Sequence, residues 1–291
     1  MKLRKAPSRN RRINNQAMNR RRIRTNRIPD FQSANTKVPR KKNLQMFQPE
    51  VIIFDVDGVL VDVRGSFHRT TLETVRFFTN KRVTTHELQK WKNQSGYNDD
   101  WKLSTAWVQS LGGKFEYAEV KRKFVELYWG TNGNRGNVER EKWLLPKPQL
   151  GRLAARAELA IFTGRVRQEL DHTLECCGVR DFFGHIVTAE DVTKHKPDPE
   201  GLLAILRGRD PAKAVYVGDN VDDALAARSA GIPFIGIVSR EIERSRAREV
   251  LLRNLGAKAI LDHVKKLDSH ISTSASIAGR PGTRTSGLST P

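Results

Sequence analysis

Six short runs between residues 51 and 261 constrain the fold of this chain more than any other feature. Each run is three to five residues long and mainly apolar, which is typical of a strand buried on both faces of a sheet. The runs cover residues 51–54, 159–162, 185–187, 214–217, 234–238 and 259–261. Helical stretches lie between several of them, at residues 167–177, 199–207 and 222–230. This alternation predicts an α/β fold with a doubly wound, mostly parallel, Rossmann-like sheet.

The segment at residues 65–143 differs from the rest, because its apolar and aromatic residues recur at helical spacing without a convincing buried strand. It follows the first strand closely. We therefore predict a small helical insertion at 65–143, within a core formed by residues 48–64 and 144–270. The flanking segments, 1–47 and 271–291, are predicted to be a basic disordered extension and a flexible tail.

Most of the net charge of +20 belongs to the N-terminal extension. Residues 1–47 contain fifteen Lys and Arg against one acid, Asp30, which gives +14; Arg280 and Arg284 in the tail add +2, and +4 remains between. One interpretation of the extension is an arm that binds RNA or a membrane surface. The other, which we favour, is an unstructured appendage, with translation starting at Met46 as one alternative. We expect no nucleic-acid partner beyond weak contact through this arm.

The only two cysteines, Cys176 and Cys177, are adjacent and cannot form an ordinary structural disulfide with each other. We expect free thiols and a reducing compartment. No apolar run approaches the roughly 20 residues that span a bilayer, and no signal-peptide hydrophobic segment follows the basic N-terminus. These features predict a cytoplasmic protein with no membrane partner.

The first strand runs into the sequence Asp55-Val56-Asp57-Gly58. Two carboxylates then lie at the carboxyl end of a parallel strand, which is the edge where open α/β sheets bind ligands. Since side chains alternate in direction along a strand, Asp55 and Asp57 would point the same way, able to share a cation or to divide nucleophile and acid/base roles. A loop or a helix cap is the alternative for such a pair taken alone.

Two further motifs end on groups that suit a phosphoryl oxygen. The second predicted strand is followed by Thr163 and Gly164, a hydroxyl and an unobstructed backbone amide. Before a later helix, Lys196 precedes Pro197, which restricts the lysine backbone to extended conformations. Lys194 is its nearest rival, and the proline decides our choice. An ordinary strand-to-helix turn and a solvated surface lysine are the alternatives.

The fourth motif follows the run at 214–217 and brings Asp219, Asp222 and Asp223 to the same sheet edge. Clustered hard oxygen ligands suit Mg²⁺, which keeps several waters and takes few protein carboxylates. N-capping of the following helix by Asp222 is the alternative, and it is compatible with metal binding by the other two.

The order and spacing of these four motifs resemble the haloacid dehalogenase (HAD) superfamily of phosphohydrolases. Asp55-Val56-Asp57-Gly58-Val59 resembles its first motif, Thr163 its second, Lys196 its third, and Gly218-Asp219 with Asp223 its fourth. The resemblance covers about residues 51–262. The helical insertion after the first motif resembles the small cap of the subfamily that includes phosphoglycolate phosphatase and β-phosphoglucomutase.

This resemblance implies a mechanism. Asp55 would attack phosphorus and form an aspartyl phosphate, while Asp57 would protonate the leaving oxygen and then activate water. The cofactor would be Mg²⁺, bound by the Asp55 carboxylate, the Asp57 carbonyl and Asp219, with Asp223 either a direct ligand or a group that holds one. The groups that would stabilise charge on the transferring phosphoryl group are Thr163, the Gly164 amide and Lys196.

The expected substrate is the phosphate monoester of a small metabolite. In the cap, Asn98, Asp99 and Asp100 lie in a polar loop that could contact the leaving group, although a helix cap accounts for one of them. The second aspartate of the first motif, Asp57, argues against a haloacid substrate. Phosphonatases of the superfamily carry an essential cap lysine; Lys90 and Lys92 are present, and nothing in the sequence singles out either of them.

Two other functions stay open from the sequence. A phosphomutase has the same core and returns the phosphate to a sugar. A non-enzymatic protein could use the basic arm to bind RNA or another polyanion, with the fold as scaffold, but the presence together of Asp55, Asp57, Lys196 and Asp219 argues against it. The sequence leaves the oligomeric state open.

Overall fold

The structure, a computed structural model, describes residues 48–131, 133–240 and 245–271. The predicted disordered extension at 1–47 lies outside this part of the chain, and so does the predicted flexible tail at 271–291 apart from its first residue. Ile271 is buried in the core cluster, so the limit of the tail at 271 is wrong by one residue.

Ten strands occur in the described part of the chain. They are β1 (Val51–Phe54), β2 (Val61–Asp62), β3 (Gly130–Thr131), β4 (Asn134–Arg135), β5 (Lys142–Trp143), β6 (Glu158–Phe162), β7 (His185–Val187), β8 (Ala214–Gly218), β9 (Phe234–Ile237) and β10 (Ala259–Leu261).

The α-helices of the same part number nine. They are α1 (Phe67–Thr79), α2 (Thr85–Lys92), α3 (Asp100–Ser110), α4 (Tyr117–Trp129), α5 (Lys147–Ala154), α6 (Arg167–Cys177), α7 (Glu200–Leu206), α8 (Val221–Ala230) and α9 (Ser245–Asn254).

Six strands form one parallel sheet in the order β10-β9-β8-β1-β6-β7. All six predicted strands are therefore confirmed, as is the doubly wound α/β class. In this register Phe54 lies opposite Ile161 of β6 and Val217 of β8. The residues that follow these three strands consequently meet at one edge of the sheet, where the sequence motifs lie.

The core has two layers, one on each face of the sheet. In β1, Ile52 and Phe54 pack with side chains of α5 and α6, whereas Val51 and Ile53 pack with side chains of α7 and α8. Residues of a strand alternate between faces, and both faces are covered here. The continuous apolar runs of the sequence follow from this double burial.

The four helices α1–α4 follow one another between β2 and β5, within the predicted helical insertion. Helices α1, α2 and α3 share a third apolar cluster that includes Leu72, Leu88 and Leu103, whereas Phe124 and Tyr128 of α4 belong to the first core cluster. β2 and β5 form an antiparallel pair, with Val61 opposite Trp143, where the chain leaves the core and returns. We propose that α1–α4 form a cap on the core, and the limits of the two domains stay a prediction.

The cysteines are both free, with Cys176 exposed. Among the described residues, none of the helices combines the length and the apolar character that a bilayer crossing requires.

Candidate active site

Asp55 is buried at the end of β1, with its side chain only 4% exposed. Its backbone amide donates to the carbonyl of Val217 at 2.8 Å, which extends the pairing with β8. Lys196 donates from Nζ to Asp55 Oδ1 at 2.9 Å, whereas Oδ2 of Asp55 has no hydrogen-bond partner among the described residues. One oxygen of this carboxylate is thus fixed, and the other is available for a ligand or for attack.

Lys196 is the lysine that the fold brings to this edge of the sheet, and it is buried, whereas its rival Lys194 is exposed. Its Nζ also donates to Asp223 Oδ1 at 2.8 Å. The hydroxyl of Tyr216 donates to the same oxygen at 2.7 Å. Lys196 therefore bridges two carboxylates that face each other across the sheet edge.

Burial and charge act in opposite directions on these groups. Burial raises the pKa of Asp55 well above its ordinary value, and the Lys196 ammonium opposes this effect. Burial lowers the pKa of Lys196, but the carboxylates of Asp223 and Asp55 outweigh burial and raise it overall. The ammonium stays charged, so it can neutralise anionic groups bound beside Asp55.

Side-chain oxygens of Asp55, Asp219 and Asp223 all lie within 4.8 Å of one another. Carboxylates this close repel each other, and desolvation raises the pKa of the half-buried Asp219 to about 6 although the nearby Arg248 guanidinium lowers it. Such a group of hard oxygen donors fits a divalent cation of the Mg²⁺ class. The carboxylate of Asp57 does not belong to this cluster.

The two oxygens of Asp223 are already engaged. Oδ1 accepts from Lys196 and Tyr216, while Oδ2 accepts from the backbone amides of Asp219 and Asn220 at 3.1 and 3.3 Å. Asp223 therefore fixes the loop that carries Asp219. This arrangement favours the indirect role for Asp223 over direct metal ligation.

Gly58 explains why a glycine follows the two aspartates. Its φ of +74° is rare for residues with a side chain, and a Cβ here would lie 2.3 Å from Oδ2 of Asp219. The turn after β1 can therefore approach Asp219 only because residue 58 has no side chain.

Thr163 and Gly164 follow β6 at the same edge. Thr163 is buried, and its Oγ1 accepts from the amide of Arg165 at 3.2 Å. A Cβ on Gly164 would lie 3.0 Å from the side-chain nitrogen of Asn98, which shows how closely the cap loop approaches this motif. Asn98 also accepts from the side chain of Asn220 at 2.9 Å.

Of the three predicted specificity residues, Asn98 alone bridges to core motifs in this way. Asp99 accepts from the amides of Trp101 and Lys102 and caps α3, as the alternative interpretation anticipated. Asp100 is buried and pairs with Lys92 at 2.7 Å. All three nevertheless line the cavity at the site, so a contact of each with substrate stays a prediction.

The cap loop also contacts the start of α8. Asp222 accepts from Ser95 Oγ at 2.5 Å and from the Gly96 amide at 3.0 Å. The capping interpretation of Asp222 is wrong, because the N-cap of α8 is Asn220, whose side chain accepts from the Asp223 amide at 3.0 Å. Asp222 instead holds the cap loop on the core.

A cavity of about 570 Å³ opens at Asp55 and extends between core and cap. The residues that line it include the cations Lys102 and Lys121, and Lys121 Nζ lies 3.7 Å from the ring centroid of Trp101. Three residues near the predicted site residues were missed by the sequence interpretation: Arg165, Glu141 and Arg248. Of these three, only Arg165 could have been linked to the site from the sequence, since it directly follows Thr163-Gly164.

The sequence profile of the haloacid dehalogenase-like hydrolases matches residues 49–231. The chain belongs to this family. Its resemblance to the superfamily, and the prediction of a hydrolase, are therefore confirmed. The match includes Asp55, Thr163, Lys196 and Asp219.

Two relatives extend this result. A pyrophosphatase, PpaX, from Bacillus velezensis is 40% identical over 189 residues, which cover 64% of this chain and 82% of that protein. An imidazoleglycerol-phosphate dehydratase from Phytophthora nicotianae is 32% identical over 198 residues, 65% of this chain but only 43% of that protein. This chain thus corresponds to less than half of the second relative.

The fold also resembles a solved structure of a predicted phosphoglycolate phosphatase from Haemophilus somnus 129pt. The TM-score is 0.59 at 21% sequence identity, over 76% of this chain and 97% of that one. This likeness concerns the fold alone. The phosphatase class itself is supported by the family and by the pyrophosphatase relative.

Proposed function

We propose that this protein is a Mg²⁺-dependent phosphatase that hydrolyses the phosphate monoester of a small metabolite through an aspartyl phosphate on Asp55. The observation that carries the proposal is the position of Asp55, held at one oxygen by Lys196 within a cluster of carboxylates that could bind a cation. A buried carboxylate between an ammonium and a cation site is suited to attack an anionic phosphate.

In the first step the free oxygen of Asp55 attacks phosphorus, and the bond from phosphorus to the ester oxygen breaks. The electron pair goes to the leaving oxygen, which takes a proton from Asp57. In the second step water attacks the phosphorus of the aspartyl phosphate, Asp57 accepts the proton of that water, and the bond to Asp55 breaks. Free phosphate and an unmodified Asp55 result.

Asp55, Asp219 and the backbone carbonyl of Asp57 would hold the Mg²⁺ ion, and Asp223 would position Asp219. When bound, the ion supplies positive charge to the phosphate oxygens and favours the ionised form of Asp55, whose pKa burial raises. Lys196, the Thr163 hydroxyl and the Gly164 amide would bind the other phosphoryl oxygens.

We further propose that the substrate is small and carries a second anionic group. The cavity of about 570 Å³ is lined by Lys102 and Lys121 of the proposed cap, in addition to Lys196 beside Asp55. One relative is named as a pyrophosphatase, and pyrophosphate carries a second ionised phosphate group beside the one that is released. A cytoplasmic location stays a prediction.

Phosphate release across a panel of metabolite phosphates, with Mg²⁺ and with EDTA, tests the proposal. We expect turnover of at least one anionic monoester with Mg²⁺ and none with EDTA. Asp55→Asn should abolish turnover and keep the wild-type circular dichroism spectrum. Full activity in EDTA or in Asp55→Asn would refute the proposal, and formation of an isomeric sugar phosphate without free phosphate would indicate a mutase.

A further inference from the structure

The guanidinium of Arg165 is buried between two carboxylates, Asp57 of the active site and Glu141, the residue just before β5. Its side chain is 1% exposed. Nε and Nη2 lie 2.8 and 2.6 Å from Oδ1 of Asp57. Nη1 and Nη2 donate to the two oxygens of Glu141, at 3.1 and 2.9 Å. Arg165 therefore connects Asp57 to Glu141.

The contact with Asp57 is made by one oxygen only. Nε and Nη2 of Arg165 both approach Oδ1, whereas Oδ2 of Asp57 has no hydrogen-bond partner among the described residues. The Asp57 side chain is 31% exposed and lines the cavity. Fixing Oδ1 restricts the rotation of this carboxylate and leaves Oδ2 as the oxygen that can exchange a proton.

Glu141 holds Arg165 in place and joins elements on both sides of the cleft. It accepts from Thr173 of the core helix α6 at 2.8 Å, from Tyr128 at the end of the cap helix α4 at 3.0 Å, and from Ser66, just before α1, at 3.2 Å. Its side chain is 9% exposed. A buried carboxylate with this many donors is rigid, because each alternative orientation leaves polar groups unpaired.

We propose that Arg165 is a positioning residue for Asp57, and that Glu141 couples this function to the cap segments at Ser66 and Tyr128. Displacement of these segments relative to the core would move Glu141, and through Arg165 it would move the acid/base oxygen. Proton transfer needs its donor within hydrogen-bond reach of the leaving oxygen, so this orientation matters most for poor leaving groups. The inference rests on the proposed phosphatase function.

Leaving-group dependence tests this proposal, because the acid is needed for an alkoxide and hardly at all for nitrophenolate. We would measure kcat/KM for p-nitrophenyl phosphate and for the alkyl phosphate with the highest turnover in the panel. Loss of positioning in Arg165→Met should reduce the alkyl value by about 10² and the nitrophenyl value by roughly threefold or less. Asp57→Asn removes the acid/base group itself, so it should change the ratio of the two kcat/KM values at least as much as Arg165→Met does.

A second variant covers the case in which Arg165→Met does not fold. Glu141→Gln keeps the shape of the side chain, leaves Asp57 intact and removes the charge that holds Arg165. It should reduce the alkyl value by about tenfold with little change for p-nitrophenyl phosphate. Arg167→Met is the matched control, since Arg167 lies two residues further along and forms an exposed ion pair with Asp191. The ratio of kcat/KM for the alkyl phosphate to kcat/KM for p-nitrophenyl phosphate should be the same in this variant as in wild type.

Equal losses for both substrates in Arg165→Met and Glu141→Gln would show a structural role alone and overturn the inference. Unchanged kcat/KM in both variants would also overturn it. If wild type hydrolyses neither substrate in Mg²⁺, the proposed function itself fails, which is a different result from a wild-type enzyme whose ratio the variants do not change.

Discussion

Lys196 donates a 2.9 Å hydrogen bond to Asp55, and both side chains are at most 4% exposed. Burial alone raises the pKa of Asp55 and would favour a protonated carboxyl, which cannot attack phosphorus. The ammonium therefore supports both the ionisation of the nucleophile and the binding of phosphate.

From this relationship we expect Lys196→Met to lower kcat/KM for any phosphate ester by about 10² or more, the scale of losing one preorganised charge at the transferring group. Steady-state kinetics in saturating Mg²⁺ would measure it. Lys194→Met is the control, because Lys194 is exposed and should leave kcat/KM unchanged. Wild-type activity in Lys196→Met would contradict the assignment.

Gly58→Ala should weaken binding of the cation rather than slow phosphoryl transfer once the cation is bound. A Cβ at this position would lie 2.3 Å from Asp219 Oδ2, so the proposed ligand must move. We expect the Mg²⁺ concentration for half-maximal activity to rise by about tenfold or more, comparable to loss of a supporting group at a metal site.

The control for this substitution is Gly112→Ala. Gly112 has a similarly positive φ, +93°, but no atom lies within 4 Å of a Cβ built there. It therefore reproduces the backbone strain, about 1 kcal/mol, without the clash. An equal change in Mg²⁺ requirement for both variants would show that strain, not displacement of Asp219, is responsible.

Asp222→Asn tests the contact between the cap loop and the core. Oδ1 of the carboxylate accepts from Ser95 and from the Gly96 amide, and Oδ2 accepts from the Gly96 amide at a shorter distance. The Asn side chain has one acceptor oxygen and no charge, so it loses the shorter of the two Gly96 contacts and the charge on the remaining ones. A charged hydrogen bond contributes about 1.5–3 kcal/mol, so we expect KM to rise by at least several-fold. Ser110→Ala, at the far end of α3, should not change KM. An unchanged KM in Asp222→Asn would mean that this contact does not control closure over substrate.

The sequence was sufficient for the sheet and for the residues at its edge, for a physical reason. Strands such as β1 are buried on both faces, so their apolar runs stand out, and residues following parallel strands must meet at one edge. Asp55, Thr163, Lys196 and Asp219 were found this way. The choice of Lys196 over Lys194 depended on Pro197, a local signal.

Contacts that join distant segments could not be predicted. Arg165 lies 108 positions after Asp57, and Glu141 is an ordinary charged residue in a segment without a motif. Arg248 contacts Asp219 at 3.1 Å from a helix with no sequence feature that indicates the site. Local patterns also failed at the start of α8, where Asn220 and Asp222 are both good caps and only the backbone geometry decides between them.

Glu169 gives a pH-dependent prediction for stability. It is 4% exposed in α6, and burial raises its pKa to about 8 from 4.5, although Arg165 opposes this. A carboxyl group whose pKa is higher in the folded than in the unfolded state gives its full stabilisation when the pH is below the pKa of the unfolded state. This stabilisation is lost as the pH rises toward 8, the pKa in the fold. We therefore expect Glu169→Gln, which cannot ionise, to be more stable relative to wild type at pH 8 than at pH 5. Each pKa unit corresponds to about 1.4 kcal/mol in the free energy of unfolding.

Urea unfolding of both proteins at pH 5 and pH 8 would measure the difference in free energy of unfolding between Glu169→Gln and wild type. An identical difference at the two pH values would show that Glu169 is ionised in the fold throughout this range.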